Sequence, residues 1–181
     1  MDDRYIHTFR SKDGLQLRVR PLVPEDAHHL VDLFEHMGSE SRFLRFNLAL
    51  SDPDPELVWS EANRLARVDP ERDGAWLVFA DLPDQHDAPV AGARYMHLDD
   101  DAAEGSLAVR DDMQRQGIGA ELLRFMIQQA RVNGVKRLVA TVQRGNRPLW
   151  HLLQSSGLAF ETESLGSSSN ITLDLVQPQA I

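Results

Sequence analysis

The sequence predicts an α/β chain of α+β character, one mixed and mostly antiparallel sheet flanked by helices. Three observations carry that expectation. Period-two alternation marks short strands along much of the length. Two of them, "AWLVFAD" (75–81) and "VAGARYMHL" (90–98), are joined by the turn-rich "LPDQHDAP" and read as antiparallel neighbours. Stretches with apolar residues at helical spacing fall between the strands. No internal repeat interrupts the pattern, and 181 residues suffice for one domain, 1–181, with a sizeable core.

In chain order, "LQLRVRPL" (Leu15 to Leu22) alternates as a strand. "PEDAHHLVDLFEHMG" follows, with acids in its first turn, Leu30, Val31, Leu33, Phe34 and Met37 at helical spacing, and Gly38 as its stop. "SESRFLRF" and the proline-bearing turn "SDPDP" separate it from a second helix, Glu56 to Val68, with Leu57, Val58, Leu65 and Val68 apolar. After the two antiparallel strands, "DDDAAE" (99–104) reads as a turn and "GSLAV" (Gly105 to Val109) as a short strand. The next helix carries Ile118, Leu122, Leu123, Met126, Ile127 and Ala130 in one stripe and ends near Asn133 and Gly134. "RLVATV" (137–142) is a strand. Asn146 and Pro148 open a helix with Leu149, Trp150, Leu152 and Leu153 that runs to Gly157. "LAFET" and "NITLDLV" are closing strands, and "GSSSN" between them reads as a low-complexity loop.

Composition narrows the function. Apolar residues make up 42% and charged residues 26%, no apolar run nears the ~18 residues of a membrane span, and the acidic, polar start is unlike a signal peptide, so a cytoplasmic protein is expected. With no cysteine, disulfides, thiolate metal sites and acyl-cysteine intermediates are excluded. The net charge of −9 argues against nucleic-acid binding. The charge is divided, however. Arg110 to Arg147 holds eight basic and three acidic residues, a local +5, which leaves −14 for the rest. An anionic ligand near the first region and a cationic substrate elsewhere fit this division, as do plain solvated faces.

The corner "QRQGIGA" (114–120) joins a strand directly to a helix. First-turn N–H groups lack intrahelical partners and the helix dipole adds positive potential, so an anion is stabilised there. Gly117 and Gly119 remove side chains that would hold a pyrophosphate away. A tight strand-to-helix connection would use the same residues. Neither a Walker loop nor a Rossmann fingerprint fits, since no Gly-Lys-Ser/Thr follows and the corner is far from the N-terminus.

"LAVRDDMQRQGIGAELL" resembles the signature of the GNAT superfamily of acyl-CoA-dependent N-acetyltransferases, with Gln114, Arg115, Gln116, Gly117, Ile118 and Gly119 on the family pattern. "NRPLWHLLQSSGLAF", opened by Asn146, is similar to the family's second motif, and the matching order of elements spans Leu15 to Val176. The opening "VRPLVPEDAHHLVDLFEHMGSESRFLRF" is similar to that of bacterial Pat-type protein lysine acetyltransferases, whose usual fused regulatory domains do not fit in this chain. The resemblance implies a GNAT fold and acetyl-CoA as cosubstrate without a metal. It implies that acetyl-CoA is bound by Leu107, Ala108 and Val109 of the central strand, by Gln114, Arg115, Gln116, Gly117, Ile118, Gly119 and Ala120 of the corner, and by Asn146.

It further implies direct transfer to a primary amine, a protein lysine before a small amine such as an amino acid, polyamine or aminoglycoside. A non-catalytic acyl-CoA sensor is the third class, favoured by Gly105 loosening the strand. Glu104 stands six residues before Arg110, where the Pat-like pattern has a glutamate, and is the expected general base. A carboxylate near apolar walls is made more basic, whereas a solvated turn residue is not. The family tyrosine that protonates the leaving thiolate has no counterpart after Asn146, where Trp150 and His151 stand. The thiolate then leaves without a protein acid, or Tyr95 or His151 substitutes, and His97 is the next candidate base. His29 and His36 lack a third ligand at zinc spacing, and a monomer or homodimer is expected.

Overall fold

A computed structural model describes residues 4–178. Eight strands form one sheet among the described residues: β1 (His7–Arg10), β2 (Gln16–Pro21), β3 (Gly74–Ala80), β4 (Ala88–His97), β5 (Ala102–Val109), β6 (Arg137–Gln143), β7 (Leu158–Leu165) and β8 (Ser168–Pro178). Their lateral order is β1-β2-β3-β4-β5-β6-β8-β7. Every neighbouring pair is antiparallel except β5 and β6. The helices are α1 (Ala27–Glu35), α2 (Ser39–Phe46), α3 (Pro55–Ala66), α4 (Ile118–Val132) and α5 (Arg147–Ser155).

The sheet is covered on both faces. On one side the α4 stripe of Ile118, Leu122, Leu123, Met126, Ile127 and Ala130 packs with Trp76, Val78, Ala93, Tyr95 and Ala103. On the other, Leu33 of α1 meets Leu77 and Phe79, while Ala27 and Val31 meet Ala62 and Ala66 of α3. Strand β3 lies between these layers, which is why its run is apolar throughout and buried at every residue.

Polar contacts fix the first helices. Asp26 accepts two bonds from the Arg20 guanidinium, at 2.6 and 2.8 Å, and one from the Val23 N–H at 2.9 Å, tying β2 to the start of α1. Asp54 caps α3 through the Glu56 N–H, with Pro55 in the first turn. The helix α2 falls on "SESRFLRF", where the apolar pattern marks no element. Arg42 holds it: its guanidinium donates to the Phe34 and Leu50 carbonyls and lies 4.1 Å from the Phe34 ring centroid.

Two further departures matter. β5 begins at Ala102, so Glu104 belongs to a strand and the turn ends sooner than "DDDAAE" suggests. Ser168 to Asn170, inside the expected loop, pair with β6 and β7 as part of β8.

The parallel pairing of β5 and β6 covers Ala102, Ala103 and Glu104 and no further. β4 holds β5 as far as Val109, and β8 holds all seven residues of β6. Each strand is therefore secured by its outer neighbour, and the inner edges part after Glu104. Gly105 sits at the parting. A Cβ there would lie 2.8 Å from Leu138 Cγ and Cδ2, which makes glycine a packing requirement of the fork.

Gly105→Ala is expected to lower unfolding stability by about 1–3 kcal/mol, the usual range for overpacking, with a lower urea midpoint. Adding Leu138→Ala should recover part of that loss, and an unchanged midpoint in the single variant would contradict the close contact. Acid titration tests the buried pair. Burial alone would raise the Asp26 pKa, but Arg20 and the Val23 N–H outweigh it and hold it below the ordinary carboxylate value. Its folded pKa being depressed, Asp26 contributes stability that is complete above about pH 4 and lost as pH falls through the folded pKa. In Asp26→Asn, chemical denaturation across this range should show a lower stability at pH 7 and a shallower acid slope.

Candidate active site

The fork brings the sequence-predicted residues to one end of the sheet. Because β5 and β6 run parallel, both open at their C-terminal ends, and α4 and α5 both start there. Ligands of α/β sheets bind at this kind of strand end. Leu107, Ala108 and Val109 lie on the part of β5 that has no strand beside it toward β6. The side chains of Leu107 and Val109 pack on the α4 core, while Ala108 faces the α1–α3 side.

The corner after β5 leaves the start of α4 without a side-chain cap. Gly117 is the N-cap of α4 in a left-handed conformation, φ +85°, and no side chain caps the helix. Arg115 is also left-handed, φ +62°, a conformation uncommon outside glycine. The first-turn N–H groups of Ile118, Gly119 and Ala120 thus stand at an uncapped N-terminus, a donor set that fits a pyrophosphate. Gly119 answers a second need: a Cβ there would be 3.3 Å from Leu152 Cδ1 of α5.

Other side chains brace the corner. Gln114 Nε2 lies 3.0 Å from Asp111 Oδ1 and 3.3 Å from both Ser41 Oγ and the Val109 carbonyl, so its two N–H groups, shared among these acceptors, tie the turn to β5 and α2. Arg110 is buried in a two-bond pair with Asp112, whose carboxyl it holds below the usual range. The Gln116 carbonyl accepts from the Lys12 N–H at 2.9 Å, and the Lys12 side chain runs beside Gly117. Lys12, on the β1–β2 turn, is a cation at the corner that the sequence pattern did not reveal. Asn146 caps α5 through the Leu149 N–H at 3.1 Å.

Glu104 is the last paired residue before the fork. It is exposed, without the apolar enclosure expected of it, beside an open groove that also holds Glu161 and Glu163. Alternation along β5 puts Glu104 on the same sheet face as Ser106 and Ala108. Those two residues line a cavity of about 450 Å3 between α1, α2, α3 and the sheet, with apolar walls that include Phe34, Met37, Leu57 and Trp76. Arg45, Arg94 and Glu61 are its charged members. At the end of α2, Gln143 of β6 donates to Asn47 Oδ1 at 3.0 Å, so this link crosses from the helix side to the far strand of the fork.

The remaining candidates stand apart. Tyr95 is fully buried on the α4 face and its hydroxyl accepts from Asn133, which removes it from the Glu104 side. His97 alternates onto the Tyr95 face and its ring lies 3.7 Å from Asp73. His151 is exposed on α5. His36 pairs with Asp32, His29 lies 4.0 Å from Asp26, and the described residues contain no group of three His, Asp or Glu placed to hold a metal ion.

This fork, with an uncapped helix N-terminus at its mouth, lies in an acyl-CoA-dependent N-acetyltransferase, as the family and relatives of the chain show. The chain belongs to the acetyltransferase (GNAT) family, whose sequence profile matches residues 29–158. It is 25% identical over 152 residues to Acetyltransferase PA5475 of Pseudomonas aeruginosa PAO1, covering 83% of this chain and 79% of that protein. The fold is similar to the GNAT domain of S. lividans PAT, with a TM-score of 0.79 at 21% identity over 93% of this chain and 96% of that one. A structure described as a putative phosphinothricin N-acetyltransferase gives a TM-score of 0.63 at 16% identity, over 88% and 98% of the two chains.

Gly117→Asp places a carboxylate and a strained side chain in the anion corner, so calorimetric CoA affinity should fall well over tenfold. Lys12→Ala should weaken CoA severalfold at low salt and less at high salt, because an exposed cation is screened. CoA affinity unchanged in a folded Gly117→Asp protein would remove the corner from the binding site.

Proposed function

We propose that this chain transfers the acetyl group of acetyl-CoA directly to a primary amine, with Glu104 as general base. The observation that carries the reading is the position of Glu104: last paired residue of β5, at the mouth of the fork, on the face shared with the cavity. In this reading the corner from Gln114 to Ala120 and Lys12 hold the pyrophosphate, and the free edge of Leu107 to Val109 receives the arm that carries the thioester. Asn146 positions α5 beside it.

At pH 7 an ordinary alkylammonium, pKa ~10.4, is almost wholly protonated and cannot attack. Glu104 accepts one ammonium proton and, being exposed, passes it to bulk water. The neutral nitrogen forms the C–N bond as the C–S bond breaks, the amine's second proton goes to solvent, and sulfur departs as a thiolate. A protein acid is not required, since a thiolate is a modest base. With no cysteine in the chain, acyl transfer through a cysteine thioester is not available.

Two acceptor classes have support. A small amine is favoured by the helix-covered cavity. A protein lysine is favoured by the open groove, where Glu161 and Glu163 join Glu104 in a field that attracts cations, and by the similarity of the opening segment to Pat-type enzymes.

Glu104→Gln keeps size and hydrogen bonding while removing the proton acceptor. CoA affinity should stay within a few fold and kcat should fall roughly 10²-fold at pH 7, with the deficit shrinking as pH rises and solvent deprotonates the amine unaided. A kcat close to wild type at every pH would reject the role and leave a water path.

A further inference from the structure

Two guanidinium groups line a cavity whose walls are otherwise mostly apolar, and among the described residues neither is held in an ion pair, Glu104 acting on both and Asp73 and Glu61 on Arg94 only at longer range. Arg45, half-buried at the end of α2, donates through Nη2 to Ser106 Oγ at 2.9 Å. Arg94, half-buried on β4, is the cross-strand partner of the same Ser106. One nitrogen of Arg94, Nη2, rests on the Met96 sulfur, a weak acceptor, and the other, Nη1, is shut from solvent without a hydrogen-bond partner. Glu61, the carboxylate that lines the cavity, is taken by Arg64. Burial, and the nearby charge of Arg94, push the Arg45 guanidinium down to about 10, with Glu104 opposing. Arg94 is pushed down as well, by burial first and by the charge of Arg64 next, with Asp73, Glu104 and Glu61 opposing. Both remain cations at neutral pH.

A buried, unpartnered donor on a cation is costly, and such groups in native proteins normally have a reason. Arg45, bound to Ser106 Oγ, and Arg94, the register partner of Ser106 on β4, put two guanidinium groups on one cavity wall, a donor set suited to the two oxygens of a carboxylate. The distances suit an α-amino acid. Ser106 and Glu104 are one pleat repeat apart, about 7 Å along β5. A carboxylate held at Ser106 therefore brings the neighbouring amine toward Glu104, while an apolar side chain occupies the rest of the 450 Å3.

We infer that the acceptor carries a carboxylate beside its amine, as an α-amino acid with an apolar side chain does, and that Arg45 and Arg94 receive this carboxylate. The inference rests on the acetyl-transfer reading of the same site. It gives the cavity a charge preference opposite to the one suggested by the acidic remainder of the chain.

The test titrates matched product pairs into the chain, with and without CoA: N-acetyl-L-leucine, N-acetyl-L-methionine and N-acetyl-L-phenylalanine, each against its amide. At least one carboxylate should bind tenfold or more tighter than its amide. Arg45→Met and Arg94→Met should each flatten that preference while CoA affinity stays within a few fold and the melting temperature does not drop. Equal binding within every pair, binding by none, or a preference that survives both substitutions overturns the inference; acetylation of a lysine peptide by the same chain would then move the acceptor to the Glu161 and Glu163 groove. A carboxylate preference in a chain that binds no CoA would uphold the anion site and defeat the acetyl-transfer reading instead.

Discussion

Everything at the candidate site depends on β5 and β6 pairing for three residues and then parting. Each strand keeps a full partner on its outer side, β4 for one and β8 for the other, so the parting frees only the inner edges. Its location is set by side-chain volume. Leu138 occupies the space where a side chain at position 105 would stand, so the strands close up to Gly105 and diverge beyond it. From that choice follow the free edge of Leu107 to Val109, the shared end at which α4 and α5 begin, and the station of Glu104 at the last closed rung.

The sheet face around Glu104 is electrically graded. On one side, beneath α1 to α3, stand Arg45 and Arg94; on the other, over β6 and β7, stand Glu161 and Glu163. The net charge of the chain does not describe either environment. An apolar cavity amplifies its few charges because little water screens them, whereas the open groove lets solvent weaken its own. Local exposure, and not the sum of residues, decides which sign an approaching molecule meets.

Much of this was legible in the sequence. The stripe from Ile118 to Ala130, the alternation in β3, β4 and β6, and the Asn146 cap are local signals, and local signals survive without knowledge of the fold. The corner of Gly117 and Gly119 was also legible, although only Gly117 is there for the backbone; Gly119 answers to Leu152, far along the chain. What escaped depends on distant partners. α2 is held by Arg42 reaching back to Phe34, a polar anchor that apolar periodicity cannot reveal. Ser168 to Asn170 are extended because β6 and β7 flank them. Lys12, Arg45 and Arg94 belong to three elements with no common motif, and only the folded sheet brings them to the site.

The link from Gln143 to Asn47 gives the fork a mechanical meaning. Along the backbone, the strands up to β5 and the strands from β6 onward are joined by a three-residue seam, while one apolar core runs across both halves. Gln143 to Asn47 is a tether thrown across the open end of that seam. The amide hydrogens on either side of the seam are held by separate strand ladders, β4 with β5 and β8 with β6. A molecule seated across the fork would touch both ladders and act as a second tether between them.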